Sequence, residues 1–216
     1  MEPDFTESYT KEMRTIDLYR ANVVALYLFA IVILAYGIPF YFLWSTQDFI
    51  SIMKDSFGGN FISAPLLIFL IMIFGIVLHE LIHGITFSMY AKHGFKSIKF
   101  GFLVKMLTPY CHCKEPLKVN HYIIGALMPA IVLGIIPALI SLITGNIFLL
   151  LFAIFFTGAA AGDFLIVKLI WKEDRSSMVL DHPSEAGCYI LKRYSICHFV
   201  IFFDFSLIGK YVSSLH

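Results

Sequence analysis

The sequence predicts an all-α polytopic membrane protein with about four transmembrane helices and a short cytoplasmic β-hairpin after the second helix. The composition, the lengths of the apolar runs and the positions of the cationic residues predict this class. Of the 216 residues, 59% are hydrophobic and only 14% are charged, whereas soluble domains contain about 45–50% apolar and about 25% charged residues. This composition excludes a disordered chain, a coiled coil, a nucleic-acid-binding domain and an ordinary soluble enzyme.

Four apolar stretches reach the length of about 20 residues that a helix needs to cross a bilayer. They lie at 18–44, 63–90, 121–143 and 146–171, within a membrane domain at 18–171 that is flanked by tails at 1–17 and 172–216. The second stretch opens with Ser63-Ala64-Pro65, which is typical of a helix N-terminus. The sequence Thr144-Gly145-Asn146 predicts a tight turn between the third and fourth stretches.

The distribution of Lys and Arg predicts the orientation of these helices. Fifteen of the 16 cationic residues lie in or beside the two tails, or in the loop between the second and third stretches. The loop between the first and second stretches contains only Lys54, and the turn between the third and fourth contains none. Because cytoplasmic loops are enriched in Lys and Arg, we expect both termini to be cytoplasmic and the chain to be embedded in a lipid bilayer.

Two regions outside the apolar stretches have patterns of their own. Apolar and cationic residues alternate at 96–105, which predicts a β-strand, and Pro109 is expected to turn the chain into a second strand at about 110–113. The segment 194–208 is apolar but short, and it contains His198 and Asp204. We interpret this segment as interfacial or packed on the helices, with a fifth span as the alternative, so the tail at 172–216 is expected to be cytoplasmic or interfacial.

The second apolar stretch contains His79-Glu80-Leu81-Ile82-His83, the H-E-x-x-H pattern of zinc peptidases. Residues four apart lie on one face of a helix, so both imidazoles can bind one Zn²⁺ ion, and Glu80 can act as the general base beside them. A random chain of this composition would contain the pattern with a probability of about 0.01. Ionisable residues inside a bilayer are costly. The alternative is that these side chains form polar contacts between helices.

A third protein ligand is needed, because a catalytic zinc normally has three protein ligands and one open position. Asp163 is the acidic residue within the fourth stretch, and it lies at the same depth as His79, about 24 Å from the outer end of each helix. The small residues Gly158 and Gly162 are expected to let the fourth helix pack closely on the second. The alternative role for Asp163 is a hydrogen bond to a neighbouring helix.

Other possible ligands are less suitable. Cys111-His112-Cys113 is dense in metal-binding residue types, but neighbouring residues of a strand point to opposite faces, so His112 cannot join the two thiols. No partner pair lies near it, and we expect ordinary loop residues. His121 begins the third stretch, where it is expected to pack at the interface or contact substrate, and Asp181-His182-Pro183 reads as a turn.

These residues resemble the site-2 protease class of intramembrane zinc metalloproteases. The likeness rests on His79-Glu80-Leu81-Ile82-His83-Gly84 in one helix and Gly162-Asp163 two helices later. A closer resemblance, over about 61–189, is to small bacterial membrane proteins described as "putative zincin peptidases", and it includes the stretch from Gly125 to Pro129. The resemblance implies a three-helix metal-site core within 61–171, bound Zn²⁺ and a bacterial plasma membrane location.

The chain also departs from the site-2 protease pattern. The aspartate stands in Gly162-Asp163-Phe164 rather than in an Asn-Pro-Asp-Gly or Leu-Asp-Gly context, and the middle helix has no Asn after Pro129. The leading hypothesis is a zinc-dependent intramembrane endopeptidase that acts on membrane-protein or peptide substrates, with the strand at 96–105 pairing with an unwound substrate. The alternative is a non-enzymatic metal-binding membrane protein, either a transporter or a scaffold. Neither hypothesis includes a nucleic-acid partner.

Overall fold

The computed structural model describes residues 9–57, 63–103, 108–183 and 185–193. The helices in these ranges are α1 Leu18–Trp44, α2 Phe49–Phe57, α3 Ser63–Tyr90, α4 Val119–Pro129, α5 Ile136–Thr144, α6 Ile147–Ala159 and α7 Ala161–Ile170. The strands are β1 Tyr9–Thr15, β2 Ile98–Leu103, β3 Thr108–Cys113, β4 Leu117–Lys118, β5 Met178–Asp181 and β6 Gly187–Arg193. The prediction of a mostly helical fold is therefore confirmed, together with a small amount of antiparallel sheet.

Three helical segments are long and apolar enough to cross a membrane: Ala21–Trp44, Pro65–Tyr90 and Val119–Thr144. The last of these is α4 and α5 joined without a break by a π-helical turn, Ala130–Ile135. Helices α6 and α7 meet at an angle of 41°, and they form a fourth candidate only if the bent pair counts as one span. The predicted fourth stretch is thus two helices, and the bend lies just before Asp163.

The turn between α5 and α6 has the chemistry that its sequence predicts. Gly145 has a φ of +71° and ends α5 in the left-handed conformation, which glycine adopts without strain. The side chain of Asn146 then caps α6 by accepting a hydrogen bond from the Leu149 amide at 3.0 Å. The Trp44 indole donates to the Leu142 carbonyl at 3.0 Å and so joins the end of α1 to this turn.

The predicted hairpin is formed by β2 and β3, which pair antiparallel with Phe100 opposite Cys111. It lies directly on α3 at Gly84, where a Cβ atom would be 2.4 Å from the Phe100 ring. Glycine at this position therefore lets the hairpin approach the helix one residue after His83. The hairpin becomes part of the surroundings of the H-E-x-x-H motif.

The two predicted tails contain strands that the sequence analysis did not predict. A four-stranded sheet has the order β1-β6-β5-β4, and its antiparallel β1–β6 pair places Tyr9 opposite Arg193. Ion pairs join β1 and β6 to the residue Glu173 that follows α7, with Lys192 Nζ 3.1 Å from Glu12 and 2.9 Å from Glu173. The predicted segment 194–208 lies outside the described residues.

The largest group of buried apolar residues in the described part of the chain lies between this sheet, the hairpin and the adjacent ends of α3, α4 and α7. Its fully buried members include Val119, Ile170, Val179 and Ile190. Because apolar burial is the main favourable term in folding, this core fixes three helices relative to one another. Among those three helices, α3 and α7 carry the candidate metal ligands described next.

Candidate metal centre

Two histidines of α3 and one aspartate of α7 meet inside the protein. His79 and His83 are 9% and 6% exposed, and their ring centroids are 4.9 Å apart. The Asp163 carboxylate spans the pair, with Oδ2 3.2 Å from His79 Nε2 and Oδ1 3.2 Å from His83 Nε2. The three possible ligand atoms all lie within 4.8 Å of one another, and no other group of three such residues does so in the described part of the chain.

The geometry of this cluster fits a zinc ion. Zn²⁺ binds imidazole nitrogen at about 2.0–2.1 Å and is usually tetrahedral, which separates neighbouring ligand atoms by about 3.3 Å. Both nitrogen-to-oxygen distances in the cluster are 3.2 Å. The other ring nitrogen of His79, Nδ1, is buried without a hydrogen-bond partner among the described residues.

The hydrogen bond of His83 gives a second reason for this fit. His83 Nδ1 lies 2.9 Å from the Gly125 carbonyl oxygen, which can only accept, so Nδ1 carries the proton. In the neutral imidazole, Nε2 then presents a lone pair towards the Asp163 carboxylate. Two acceptors facing each other at 3.2 Å require a shared cation, either a metal ion or a proton.

The predicted helix contact through Gly158 and Gly162 is wrong. A Cβ at Gly158 would lie 2.0 Å from Phe29 of α1, and Gly162 has no described heavy atom within 4 Å of its Cβ position. The close approach to α3 occurs instead at Gly75, where a Cβ would lie 2.2 Å from the Phe156 ring of α6. The bend between α6 and α7 turns α7 away from the axis of α6, and so a G-x-x-x-G pair does not remain on one face.

Glu80 lies on the side of α3 that faces the hairpin. The backbone amide of Cys111 donates a hydrogen bond to its carboxylate. The side chain also lines an open cavity of about 260 Å³ whose other walls are Val77, Leu81, Phe100, Gly101, Pro109 and Tyr110. Glu80 thus directly follows His79 in the chain and lines a cavity shared by the helix and the hairpin.

Asp181 is a residue that the sequence analysis assigned only to a turn. It lies at the end of β5, where its carboxylate accepts hydrogen bonds from the Cys113 amide, at 2.7 Å, and from the Tyr122 hydroxyl. Burial raises the pKa of the Asp181 carboxyl, whereas these two donors favour its ionised form. Asp181 therefore joins the sheet, the hairpin and α4. Its partners are far away in the sequence, so no local pattern identifies it.

The other possible metal ligands, in the hairpin and at the start of α4, contact groups of the protein outside the candidate metal centre. Cys111 and Cys113 lie on one face of β3, as the alternation predicts, and burial raises the pKa of the Cys113 thiol to about 11. His112 Nδ1 is 3.8 Å from the Asp181 carboxylate. The ring of His121 stacks on Tyr90 with centroids 4.2 Å apart. Each of these side chains has a packing or electrostatic partner, and none belongs to the ligand group.

Comparison with known proteins adds one match. Residues 72–178 match a protein family described as "Putative zincin peptidase". The matched range contains His79, Glu80, His83 and Asp163, together with the hairpin and α4. Neither a curated protein nor a solved structure matches the chain. The match agrees with the resemblance drawn from the motif at the level of a zincin-type family, and it leaves the site-2 protease class and the roles of single residues as proposals.

Proposed function

We propose that this protein is a zinc-dependent intramembrane endopeptidase, with His79, His83 and Asp163 as metal ligands and Glu80 as the catalytic base. The observation that carries the proposal is the meeting of two imidazoles and one carboxylate within 4.8 Å. A chance meeting of these groups is disfavoured, because ionisable side chains in apolar helices are costly unless they have a function or a partner. The family match to residues 72–178 supports the metallopeptidase part of this proposal.

The chemistry divides between the metal and the side chains of the chain. Zinc bound at this site would supply Lewis-acid activation of water and of the peptide carbonyl group. Glu80 takes up the proton that water loses during attack and then returns it to the leaving amine. The hydrogen bond from the Cys111 amide orients the Glu80 carboxylate. Because the donor belongs to the hairpin, the position of β3 controls the position of the base.

The hairpin also offers an edge to which an extended substrate can add as a strand. The Lys114 amide donates to the Ser97 carbonyl at 2.9 Å. Because hydrogen-bonded pairs recur at every second residue of an antiparallel ladder, this bond fixes which residues of β2 and β3 direct their backbone groups outwards. On the outer edge of β3, Pro109 has no amide proton, and the next two outward amides donate to carboxylates. The outward groups of Phe100 and Phe102 on β2 have no hydrogen-bond partner among the described residues, so we assign substrate pairing to the edge of β2.

The orientation proposed for the protein follows from its charges. Three or four helices can cross a bilayer, and fifteen of 16 cationic residues fall on the side that holds the tails and the hairpin. We infer that both termini and the four-stranded sheet are cytoplasmic, in agreement with the enrichment of Lys and Arg in cytoplasmic segments. Substrate would then reach the metal centre from the cytoplasmic half of the membrane.

The test compares Glu80→Gln with His79→Ala. Gln has nearly the same shape as Glu but cannot accept the proton, so Glu80→Gln should keep bound zinc and lose about 10²–10⁴-fold in cleavage rate. His79→Ala removes a ligand, and it should lose zinc and cleavage together. Zinc is measured by elemental analysis of the purified protein, and cleavage by comparing the membrane proteomes of cells that express the native protein or Glu80→Gln.

The outcomes separate an enzyme from a metal-binding scaffold or transporter. A scaffold or transporter would lose its metal in His79→Ala, but Glu80→Gln would leave both metal content and the membrane proteome unchanged. That result would overturn the peptidase proposal and retain the metal site. Native protein purified without zinc, and unable to take it up, would overturn both.

A further inference from the structure

The helix α4 ends at a buried proline that lies four residues after Gly125. In an α-helix, each amide donates to the carbonyl four residues earlier. Pro129 has no amide proton, so the Gly125 carbonyl loses this helical partner. The carbonyl oxygen instead accepts the hydrogen bond from His83 Nδ1 at 2.9 Å. The carbonyl group that Pro129 leaves without a helical donor is therefore the same group that accepts the hydrogen bond from His83.

The absence of a side chain at Gly125 makes this contact possible. A Cβ at Gly125 would lie 2.2 Å from the ring of Phe87, one turn after His83 in α3. That ring stacks on the His83 imidazole, with an interplanar angle of 9° and centroids 5.8 Å apart. Two contacts therefore position the imidazole: Phe87 packs against its face, and the Gly125 carbonyl accepts the hydrogen bond from Nδ1.

We propose that Pro129 is a positioning residue that fixes the tautomer of His83 by keeping the Gly125 carbonyl free of the helix ladder. With the proton held on Nδ1, the lone pair of Nε2 points at Asp163, which is 3.2 Å away. This inference rests on the metal site of the proposed function and gives the Gly125–Pro129 pair a role in it. A residue with an amide at 129 would compete for the carbonyl and draw it towards the helix axis.

The same helical segment supplies a matched control. Pro137 also lies in the long α4–α5 segment, where it has no amide to donate to a carbonyl of the preceding π-helical turn. No described side chain donates to that carbonyl. Pro137→Ala therefore restores an amide in the same helical segment without altering the Gly125 carbonyl.

The experiment measures Zn²⁺ affinity by competition with a chelator, and the His83 tautomer by ¹⁵N NMR of histidine-labelled protein in micelles. Residues that orient a metal ligand typically contribute 10–100-fold to affinity, so Pro129→Ala should weaken zinc binding at least about tenfold. In the zinc-free protein, it should also reduce the population of the Nδ1–H tautomer. Pro137→Ala should leave both quantities within about twofold of the native values, as expected for an independent site.

Several results would overturn the proposal. Pro129→Ala with native affinity and native tautomer would show that Gly125 does not need the proline. Equal weakening in Pro137→Ala would indicate a general effect of helix straightening. If Pro129→Ala fails to fold, Pro129→Ser supplies the same amide, and a hydroxyl that can also reach the carbonyl four residues earlier. A native protein that binds no zinc refutes the proposed function, and the tautomer measurement still tests the role of Pro129.

Discussion

Replacing Gly75 with alanine tests the close contact between α3 and the Phe156 ring of α6. The added Cβ would lie 2.2 Å from Phe156 Cζ, and Phe156 is only 1% exposed, so its ring has little room to move. Overpacking costs about 1–3 kcal/mol, whereas alanine is favoured over glycine in a helix by about 1 kcal/mol. Gly75→Ala should therefore lower the free energy of unfolding by up to about 2 kcal/mol.

A double-mutant cycle with Phe156→Leu isolates the clash, because the shorter side chain leaves space for the new Cβ. We expect a coupling energy of about 1–3 kcal/mol, measured by reversible unfolding in detergent micelles. Gly162→Ala is the matched control, since no described heavy atom lies within 4 Å of its Cβ position. A coupling energy below about 0.5 kcal/mol at Gly75 would refute the contact. The same value at Gly162 is the expected result.

Three further predictions concern the hairpin and the sheet. Phe102→Pro should lower kcat/KM for a cleaved substrate by about fivefold relative to Phe102→Ala. Only proline removes the outward amide, and a hydrogen bond contributes about 1 kcal/mol. Equal values for the two variants would exclude strand addition at the edge of β2. Burial raises the pKa of the Cys188 thiol to about 12. In a variant with the other cysteines changed to serine, maleimide labelling of Cys188 at about pH 8 should therefore be about a thousandfold slower in the folded than in the unfolded protein. The hydrogen bond from Lys192 lowers the pKa of Glu12. This pair therefore stabilises the fold at pH values above the usual pKa of Glu, and the stabilisation is lost as pH falls through the lowered pKa. The difference in Tm between the native protein and Lys192→Met should shrink in acid, and a constant difference would contradict this.

The candidate ligands that meet in the structure could be predicted from sequence because each prediction rests on a local regularity. His79 and His83 are four residues apart, and helix periodicity alone places them on one face. The depth of Asp163 in an apolar stretch matches that of His79, and depth follows from the rise per residue of a helix. The hairpin follows from alternation with a period of two, and the turn at Gly145 follows from its residue types. None of these inferences requires knowledge of which helices are neighbours.

The tertiary structure decided everything that depends on which elements are neighbours. It places Phe29 against Gly158 and leaves Gly162 open, so the contact inferred from small residues was assigned to the wrong helix. It pairs β1 with β6, whose partners are more than 170 residues apart, and it gives Asp181 donors from two other elements. Hydropathy and periodicity describe one element at a time, whereas these pairings form only when the buried core of α3, α4, α7 and the two sheets comes together.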